Sequence, residues 1–284
     1  MSKKTAIMII LLGGTFMSFV GLYMRLLTTA DGFQILFYRS LSLCAIVAVV
    51  SCLRRRVMPA TFLKCLDYND FKMGLALAVA FTCYVFAMLY TSVASTLFIL
   101  SATPFMAALI GMVWINEKPK SITWVAMIFA SFGIYLMVQE GYQLKQNFGN
   151  LMALLSAIFF ALMLVSARKS GKQDVLGGTF LGGAFCILIG AFAIMFTGIG
   201  FVLMSRDLII ILIMGAFGIG LGIAFVTWGT SYVPAAEVSL LVLIESVLGP
   251  IWPWVFLGES MSATEVIGGL TILISVFLYV RFSA

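Results

Sequence analysis

The sequence predicts an all-α membrane protein in which ten transmembrane helices form two inverted five-helix repeats. Hydrophobic residues make up 63% of the 284-residue chain and charged residues only 10%, whereas soluble domains carry about 25% charged residues. Apolar runs of about 20 residues, the length that crosses a bilayer core as a helix, recur along the whole chain. The third observation behind this fold class is an internal repeat with a period of half the chain.

The stretch that begins at Tyr90 recurs 142 residues later, at Tyr232. Residues 90–117 read YTSVASTLFILSATPFMAALIGMVWINE, and residues 232–259 read YVPAAEVSLLVLIESVLGPIWPWVFLGE. Both stretches begin with tyrosine, carry alanine four residues later, continue as an apolar run and end in glutamate. Because self-similarity at a fixed period indicates repeated structural units, we predict two domains. Residues 1–142 hold spans 1 to 5, and residues 143–284 hold spans 6 to 10.

The first half contains five apolar runs separated by polar or basic segments. A turn of two residues, Thr91 and Ser92, separates spans 3 and 4, and Pro104 interrupts span 4. Ser121 or Thr123 is placed to cap span 5. The predicted bounds of spans 1 to 5 are 6–27, 34–53, 73–90, 94–115 and 121–138.

The second half repeats this layout. Pro250 and Pro253 lie inside span 9, and Ser262 with Glu265 fits a capping box at the start of span 10. The predicted bounds of spans 6 to 10 are 150–169, 178–197, 208–230, 236–257 and 262–280. The repeat therefore covers the whole chain.

Basic residues predict the orientation of these spans. Of the 17 lysine and arginine residues, only Arg25, Lys145 and Arg206 lie in the loops on the side opposite to the N-terminus. Cytoplasmic loops carry an excess of Lys and Arg. We therefore expect a multi-pass protein of the bacterial inner (plasma) membrane with both termini in the cytoplasm.

Five spans per half have a geometric consequence. A unit with an odd number of spans ends on the side opposite to its start, so the second unit enters the membrane upside down. Inverted repeats of this kind build carriers that open alternately to the two sides. The pattern therefore indicates a carrier rather than a catalyst.

Several features of the chain match a known pattern in their order and spacing. They are a Phe-Tyr-Arg sequence that ends at Arg39 near the start of span 2, the pairs of spans joined by short turns, and the glutamates Glu117 and Glu259 that end apolar runs. In these features the chain resembles the EamA-type carriers of the drug/metabolite transporter superfamily. The resemblance covers nearly the whole chain.

The resemblance implies a ten-helix fold and a central cavity walled by helices 1, 3, 4, 6, 8 and 9. It also implies transport of small metabolites, often amino acids. The family pattern often has a proline in the middle of helices 4 and 9. Pro104 fits it, but its counterpart is Ser246, with Pro250 one turn later.

Two charged residues within predicted spans are candidate substrate ligands. Glu245 lies near the middle of span 9, where an acid is costly unless it faces a cavity, finds a partner or is protonated. It is predicted to bind a substrate amine or a coupling proton, or else to form a structural hydrogen bond between helices. Arg39 in span 2 matches a substrate carboxylate; the alternatives are contact with the outer headgroups and pairing with Asp31.

Uncharged side chains add four candidates for substrate binding. Tyr84, Phe159 and Trp228 lie on spans 3, 6 and 8, where aromatic rings can hold an alkylammonium by cation–π contact. The alternative for each ring is packing. Ser101 lies just before Pro104 and offers a hydroxyl where the helix is interrupted, and Thr103 beside it offers a second one.

Three further acids lie at helix ends or at the mouth of a span. Glu117 and Glu259 end spans 4 and 9, and the predicted role is to satisfy free amides at the start of spans 5 and 10. Glu237 is in the first turn of span 9, where an acid complements the helix dipole. A gating role is the alternative for all three.

Composition excludes several kinds of chemistry. The chain has no histidine, so neither a Ser-His-Asp triad nor a His-ligated metal is possible. The five cysteines form no CxxC and are predicted to be small apolar core residues. We predict no catalytic residue, no metal, no cofactor and no nucleic-acid partner.

These observations predict a secondary transporter for a small amine-bearing or zwitterionic metabolite, similar to an amino acid. Transport would proceed by alternating access and be coupled to protons or to a gradient. The predicted partners are the small-molecule substrate and the lipid bilayer, and the protein is expected to be a monomer or homodimer. A membrane-embedded enzyme and a channel remain the alternatives.

Overall fold

The computed structural model of the chain describes residues 2–55, 59–91, 93–138, 147–172, 175–258 and 262–283. Within these ranges the chain forms helices joined by short turns, and it contains no strand. The all-α class that the apolar runs predict is therefore confirmed for the described residues.

The first half contains seven helices. They are α1 (Lys3–Leu26), α2 (Gly32–Arg55), α3 (Pro59–Lys64), α4 (Tyr68–Tyr90), α5 (Val93–Leu100), α6 (Thr103–Trp114) and α7 (Ser121–Val138). Helix α4 begins ahead of predicted span 3 because Asp67 forms a capping box. The Asp67 side chain accepts from the Asp70 amide at 2.9 Å, and the Asp70 side chain accepts from the Asp67 amide at 3.1 Å.

The second half contains seven α-helices and one π-helical segment. They are α8 (Asn147–Lys169), α9 (Leu176–Thr197), α10 (Ser205–Ile213), the π-helical segment (Met214–Leu221), α11 (Gly222–Thr230), α12 (Ala235–Val242), α13 (Ile244–Leu257) and α14 (Ala263–Ser283). Helices α10 and α11 are continuous with the π-helical segment and together occupy predicted span 8. π-Helical turns are rare and often occur at functional sites.

Eight helical segments in the described ranges are long and apolar enough to cross a membrane. Two shorter apolar helices, Ser121–Leu136 and Val266–Phe282, correspond to predicted spans 5 and 10. The chain is therefore a multi-pass membrane protein. Its arrangement as ten spans in two inverted repeats stays a prediction.

The helices pack in pairs that correspond between the two halves. Helix α4 packs on α8 and α1 on α11, while α2 packs on α9 and α7 on α14. The two central crossings use equivalent positions, since Ala80 and Gly222 are 142 residues apart. Ser156 Oγ donates to the Ala80 carbonyl oxygen at 2.9 Å, and a Cβ added to Gly13 would lie 2.7 Å from the Gly222 carbonyl oxygen. Small residues thus let both helix pairs cross closely.

Candidate functional site

A cavity lies between helices of both halves; its non-atom space, including the part open to solvent, is about 740 Å³. The lining comes from the segments at predicted spans 1, 3, 4, 6, 8 and 9, and from α2 through one residue. Most of the lining is apolar and includes Met17, Val20, Leu97, Leu100, Phe160 and Ile219. Such a lining suits a ligand with an apolar part.

Two interrupted helices meet at this cavity. Helices α5 and α6 are separated at Ser101 and Ala102, and α12 and α13 are separated at Leu243. Leu243 lies 142 residues after Ser101, so the two interruptions occupy equivalent positions. At both, a backbone amide bonds to the carbonyl three residues back: Ala102 to Ile99 at 3.1 Å, and Leu243 to Leu240 at 3.2 Å. Only the first interruption is followed by a helix with proline in its first turn, Pro104 in α6.

Equivalent residues of the two halves line the cavity next to these interruptions. Three pairs, each separated by 142 residues, contribute to the lining: Leu97 with Ser239, Leu100 with Val242, and Thr103 with Glu245. Carriers commonly bind ligands where discontinuous helices meet near the bilayer midplane. The internal repeat and the cavity therefore point to the same positions.

Glu245 is an acidic residue that lines this cavity. It lies in the first turn of α13, where the free amides and the helix dipole favour a carboxylate. Its side chain is half-buried and lines the cavity. Among the described residues Glu245 forms no ion pair. Its carboxylate is therefore placed to meet a ligand.

Arg39 and Tyr84 also line the cavity. Arg39 is 1% exposed, and its Cζ lies 5.1 Å from the ring centroid of Phe81, another lining residue. Tyr84 lies one turn after Phe81 on α4. Three of the six predicted substrate ligands thus lie around one cavity.

The other three predicted ligands lie outside the cavity lining. Ser101 is buried, and its hydroxyl donates to the Phe98 carbonyl oxygen at 2.6 Å. Phe159 packs against the core, and Trp228 is half-buried on α11. Their role as substrate contacts stays a prediction.

Sequence reasoning named Thr103 beside Ser101 at the interruption of span 4 but did not single out Phe160; both residues line the cavity. The internal repeat offered a signal for Thr103, because this residue is the counterpart of Glu245. For Phe160 no such signal exists, since its counterpart Ser18 does not line the cavity.

Glu117 joins three helices at the end of the bundle where α1 begins, which we call the N-terminal end. Its carboxylate accepts from Arg168 Nε at 2.9 Å and from the Ala235 amide at 3.3 Å. Arg168 also donates to the Ser231 carbonyl oxygen at 2.7 Å. Glu117 therefore satisfies an amide at the start of α12 and links it to α8. Glu259, its counterpart, lies outside the described residues.

Glu237 forms a second polar cluster at the N-terminal end. It is 1% exposed and lies in the first turn of α12. Its carboxylate lies 3.3 Å from Lys3 Nζ, and it accepts from Thr123 Oγ1 at 3.4 Å and from the Tyr279 hydroxyl. These contacts tie α12 to α1, α7 and α14.

Substituting Glu237→Gln is expected to lower the free energy of unfolding by about 1–3 kcal/mol, because a buried carboxylate with several charge-assisted partners is lost. Glu117→Gln is the matched control and is expected to cost less than about 1 kcal/mol, since its ion pair is partly exposed. The measurement is the unfolding midpoint of the purified variants in one detergent. Equal midpoints for both variants would contradict the buried role of Glu237.

A third polar cluster joins the start of α4 to the segment after α8. Lys172 Nζ lies 2.7 Å from Asp67 Oδ1 and 2.7 Å from Asp70 Oδ2. The hydrogen bond from Lys172 lowers the pKa of Asp67 to about 2. Partial burial disfavours the charge on Lys172, but the bonds to the two carboxylates outweigh burial and raise the pKa of Lys172.

The lowered pKa of Asp67 determines the pH range in which this carboxylate stabilises the fold. A folded-state pKa below the ordinary value of 3.8 contributes stability above that pH, and the contribution is lost as the pH falls toward about 2. At neutral pH Asp67 and Lys172 are therefore charged. Together with the clusters around Glu117 and Glu237, this cluster joins helices at the N-terminal end of the bundle.

Known proteins are similar to this chain in sequence or in fold. An uncharacterized transporter of Archaeoglobus fulgidus is 24% identical over 224 residues, which are 76% of this chain and 70% of the relative. The pseudopaline exporter CntI of Pseudomonas aeruginosa is 24% identical over 204 residues, 71% of each chain. A solved crystal structure superposes on this chain with a TM-score of 0.82 and 16% sequence identity. The superposition includes 98% of this chain and 97% of the solved chain, which shows a shared fold.

The apolar multi-pass fold, its cavity and these relatives define a membrane transporter rather than an enzyme. A model of the EamA-like transporter family matches the chain twice, over residues 4–139 and 147–281. The chain belongs to the EamA-like transporter family, in the drug/metabolite transporter superfamily.

Proposed function

We propose that this chain is a secondary transporter that carries a small amine-bearing or zwitterionic metabolite, similar to an amino acid, across the plasma membrane by alternating access. The observation that carries this proposal is the Glu245 carboxylate, which lines an apolar cavity and forms no ion pair among the described residues. An acid at the centre of a membrane costs about 2.5–3.5 kcal/mol on insertion scales. A substrate ammonium group would offset this cost.

Aromatic lining residues support an amine as the ligand. Phe81, Tyr84 and Phe160 contribute rings to the same cavity as Glu245. A ring face attracts an ammonium group, and the attraction is stronger where water is excluded. Glu245 would neutralise the amine while the rings pack around it.

Alternating access is supported by a difference between the two halves. At the N-terminal end, α6 packs on α12. The equivalent pair at the other end is α5 with α13, and within the described residues these two helices make at most marginal contact. An inverted pair of repeats can exchange these two arrangements. The cavity would then open at one end as it closes at the other.

The repeat and the basic loops support the remaining parts of the proposal. The family model matches two consecutive stretches, in agreement with domains 1–142 and 143–284 as two inverted five-span units. The excess of lysine and arginine on the side of the N-terminus favours cytoplasmic termini in a bacterial inner membrane. A proton gradient or a substrate gradient would drive transport, by a monomer or homodimer.

Counterflow into liposomes that contain the purified full-length chain tests this proposal. We expect saturable uptake of radiolabelled leucine or isoamylamine against the unlabelled compound, and none in liposomes without protein. Single-channel currents in a planar bilayer would instead indicate a channel, and turnover of a lipid by the purified chain would indicate an enzyme. Failure of both compounds to exchange would contradict the proposed substrate class.

A further inference from the structure

We infer that Arg39 forms a carboxylate-binding subsite in the cavity, so that the transported molecule carries a carboxylate as well as an amine. This inference rests on the proposed function and narrows its substrate class from amines in general to zwitterions. The inference depends on three observations about the Arg39 side chain: its nitrogens that are unpaired among the described residues, its burial, and its place in the same cavity as Glu245.

The guanidinium of Arg39 has a free edge. Among the described residues, neither its Nε nor its Nη2 has a hydrogen-bond partner, and both atoms are buried. These two nitrogens lie along one edge of the planar guanidinium, and one N–H bond of each runs parallel to the other. Two parallel donors match the two oxygens of a carboxylate, and such bidentate pairs are stronger than single hydrogen bonds. The free edge of Arg39 is therefore suited to bind a carboxylate in two-point contact.

Two structural alternatives for Arg39 do not fit its surroundings. A side chain that is 1% exposed does not reach out to lipid headgroups. Asp31 is engaged elsewhere, because its carboxylate accepts from the Phe33 amide at 2.8 Å at the start of α2. Arginine is almost never fully buried unless it is paired. The cost of burying this charge is consistent with a partner that comes and goes with transport.

The contact with Phe81 and the tight backbone packing hold the guanidinium in place. Its Cζ lies 5.1 Å from the Phe81 ring centroid, within the range of cation–π contacts. Behind it, a Cβ added to Gly215 of the π-helical segment would overlap the Arg39 carbonyl oxygen, so the two backbones are in direct contact. A group held in position loses less conformational entropy when it binds a ligand.

Arg39 and Glu245 place opposite charges in one cavity. The ion pairs found among the described residues do not include one between these two side chains. A zwitterion would place its carboxylate on Arg39 and its ammonium on Glu245. The apolar lining from Leu97, Leu100 and Ile219 would then receive the side chain. The ligand class that fits all three features is an α-amino acid with an apolar side chain.

Three related compounds test the inference on the wild-type chain. Leucine has both charged groups, leucinamide lacks the carboxylate charge, and isoamylamine lacks the carboxyl group altogether. We expect leucine to bind the purified full-length protein about 10- to 100-fold more tightly than either of the others, the factor for hydrogen bonds to a charged group. Isothermal titration calorimetry in lipid nanodiscs measures the three dissociation constants.

Arg39→Lys provides the matched variant, because it keeps the positive charge and removes the two parallel donors. We expect it to weaken leucine binding about 10- to 100-fold and to leave isoamylamine binding unchanged. Glu245→Gln is expected to weaken the binding of both compounds, because both carry the amine. If Arg39→Lys does not yield folded protein, the wild-type series decides the question alone.

Each outcome has a definite meaning. Equal affinity of the wild-type protein for leucine and isoamylamine overturns the carboxylate subsite and leaves a transporter of amines intact. Equal losses for both compounds in Arg39→Lys also overturn it, because the residue would then act only structurally. Binding of none of the three compounds overturns the subsite together with the proposed substrate class.

Discussion

Replacing Glu245 by glutamine is expected to reduce transport at least about tenfold while leaving the amount of protein in the membrane unchanged. The substitution keeps the shape of the side chain and removes its charge. A charge-assisted contact to a substrate amine contributes about 1.5–3 kcal/mol, and 1.4 kcal/mol corresponds to a factor of ten. Because glutamine does not titrate, any pH dependence that Glu245 imposes on transport is expected to disappear as well.

Thr103→Val is the matched control for this experiment. Thr103 is the counterpart of Glu245 in the first half and lines the same cavity, but it carries no charge. Its loss is expected to cost about 1 kcal/mol or less. Initial rates of uptake and export in proteoliposomes, measured over a pH series, compare the two variants with the wild type. Normal rates with an unchanged pH profile in Glu245→Gln would remove Glu245 from the mechanism.

Replacing Gly215 by alanine is expected to lower the free energy of unfolding by about 1–3 kcal/mol, the usual cost of overpacking. A Cβ at this position would overlap the carbonyl oxygen of Arg39 and the hydroxyl of Ser42. Backbone atoms cannot rotate away as a flexible side chain can. Helix α2 must therefore shift away from the π-helical segment, and Arg39 must shift with it.

Gly21→Ala is the control for Gly215→Ala. A Cβ at Gly21 would meet no atom within 4 Å, so the only expected effect is the gain of up to about 1 kcal/mol from a better helix former. The two variants are thus expected to move the unfolding midpoint in opposite directions. If both stabilise the protein, the close contact between Gly215 and Arg39 does not exist in the membrane.

Several features of the site were predictable from residues alone. Glu245 and Arg39 stand out because a charge within an apolar run needs a reason, and both line the cavity. The interruption of span 4 was predictable from Pro104, since proline removes a helical donor. The equivalent interruption at Leu243 was not, because no proline lies at the start of the helix that follows it, α13.

Two candidates lie outside the cavity lining for a common reason. Ser101 and Phe159 lie within two residues of the lining residues Thr103 and Phe160. Successive side chains on a helix point about 100° apart, since one turn takes 3.6 residues. A prediction that is wrong by one or two positions therefore selects a side chain that points away from the cavity. The polar clusters around Glu117 and Glu237 were missed for a related reason. Their partners come from helices that are distant in sequence.

By itself, the amino-acid sequence determined that this chain is a bundle of membrane-crossing helices with an internal repeat of 142 residues. Lipid leaves no other way for an apolar chain without strand alternation to satisfy its backbone. Only the tertiary structure decided which side chains face the cavity and which helices pack against each other at each end of the bundle. A helix that is apolar on every side carries no record of its orientation, so that choice depends on packing against its neighbours.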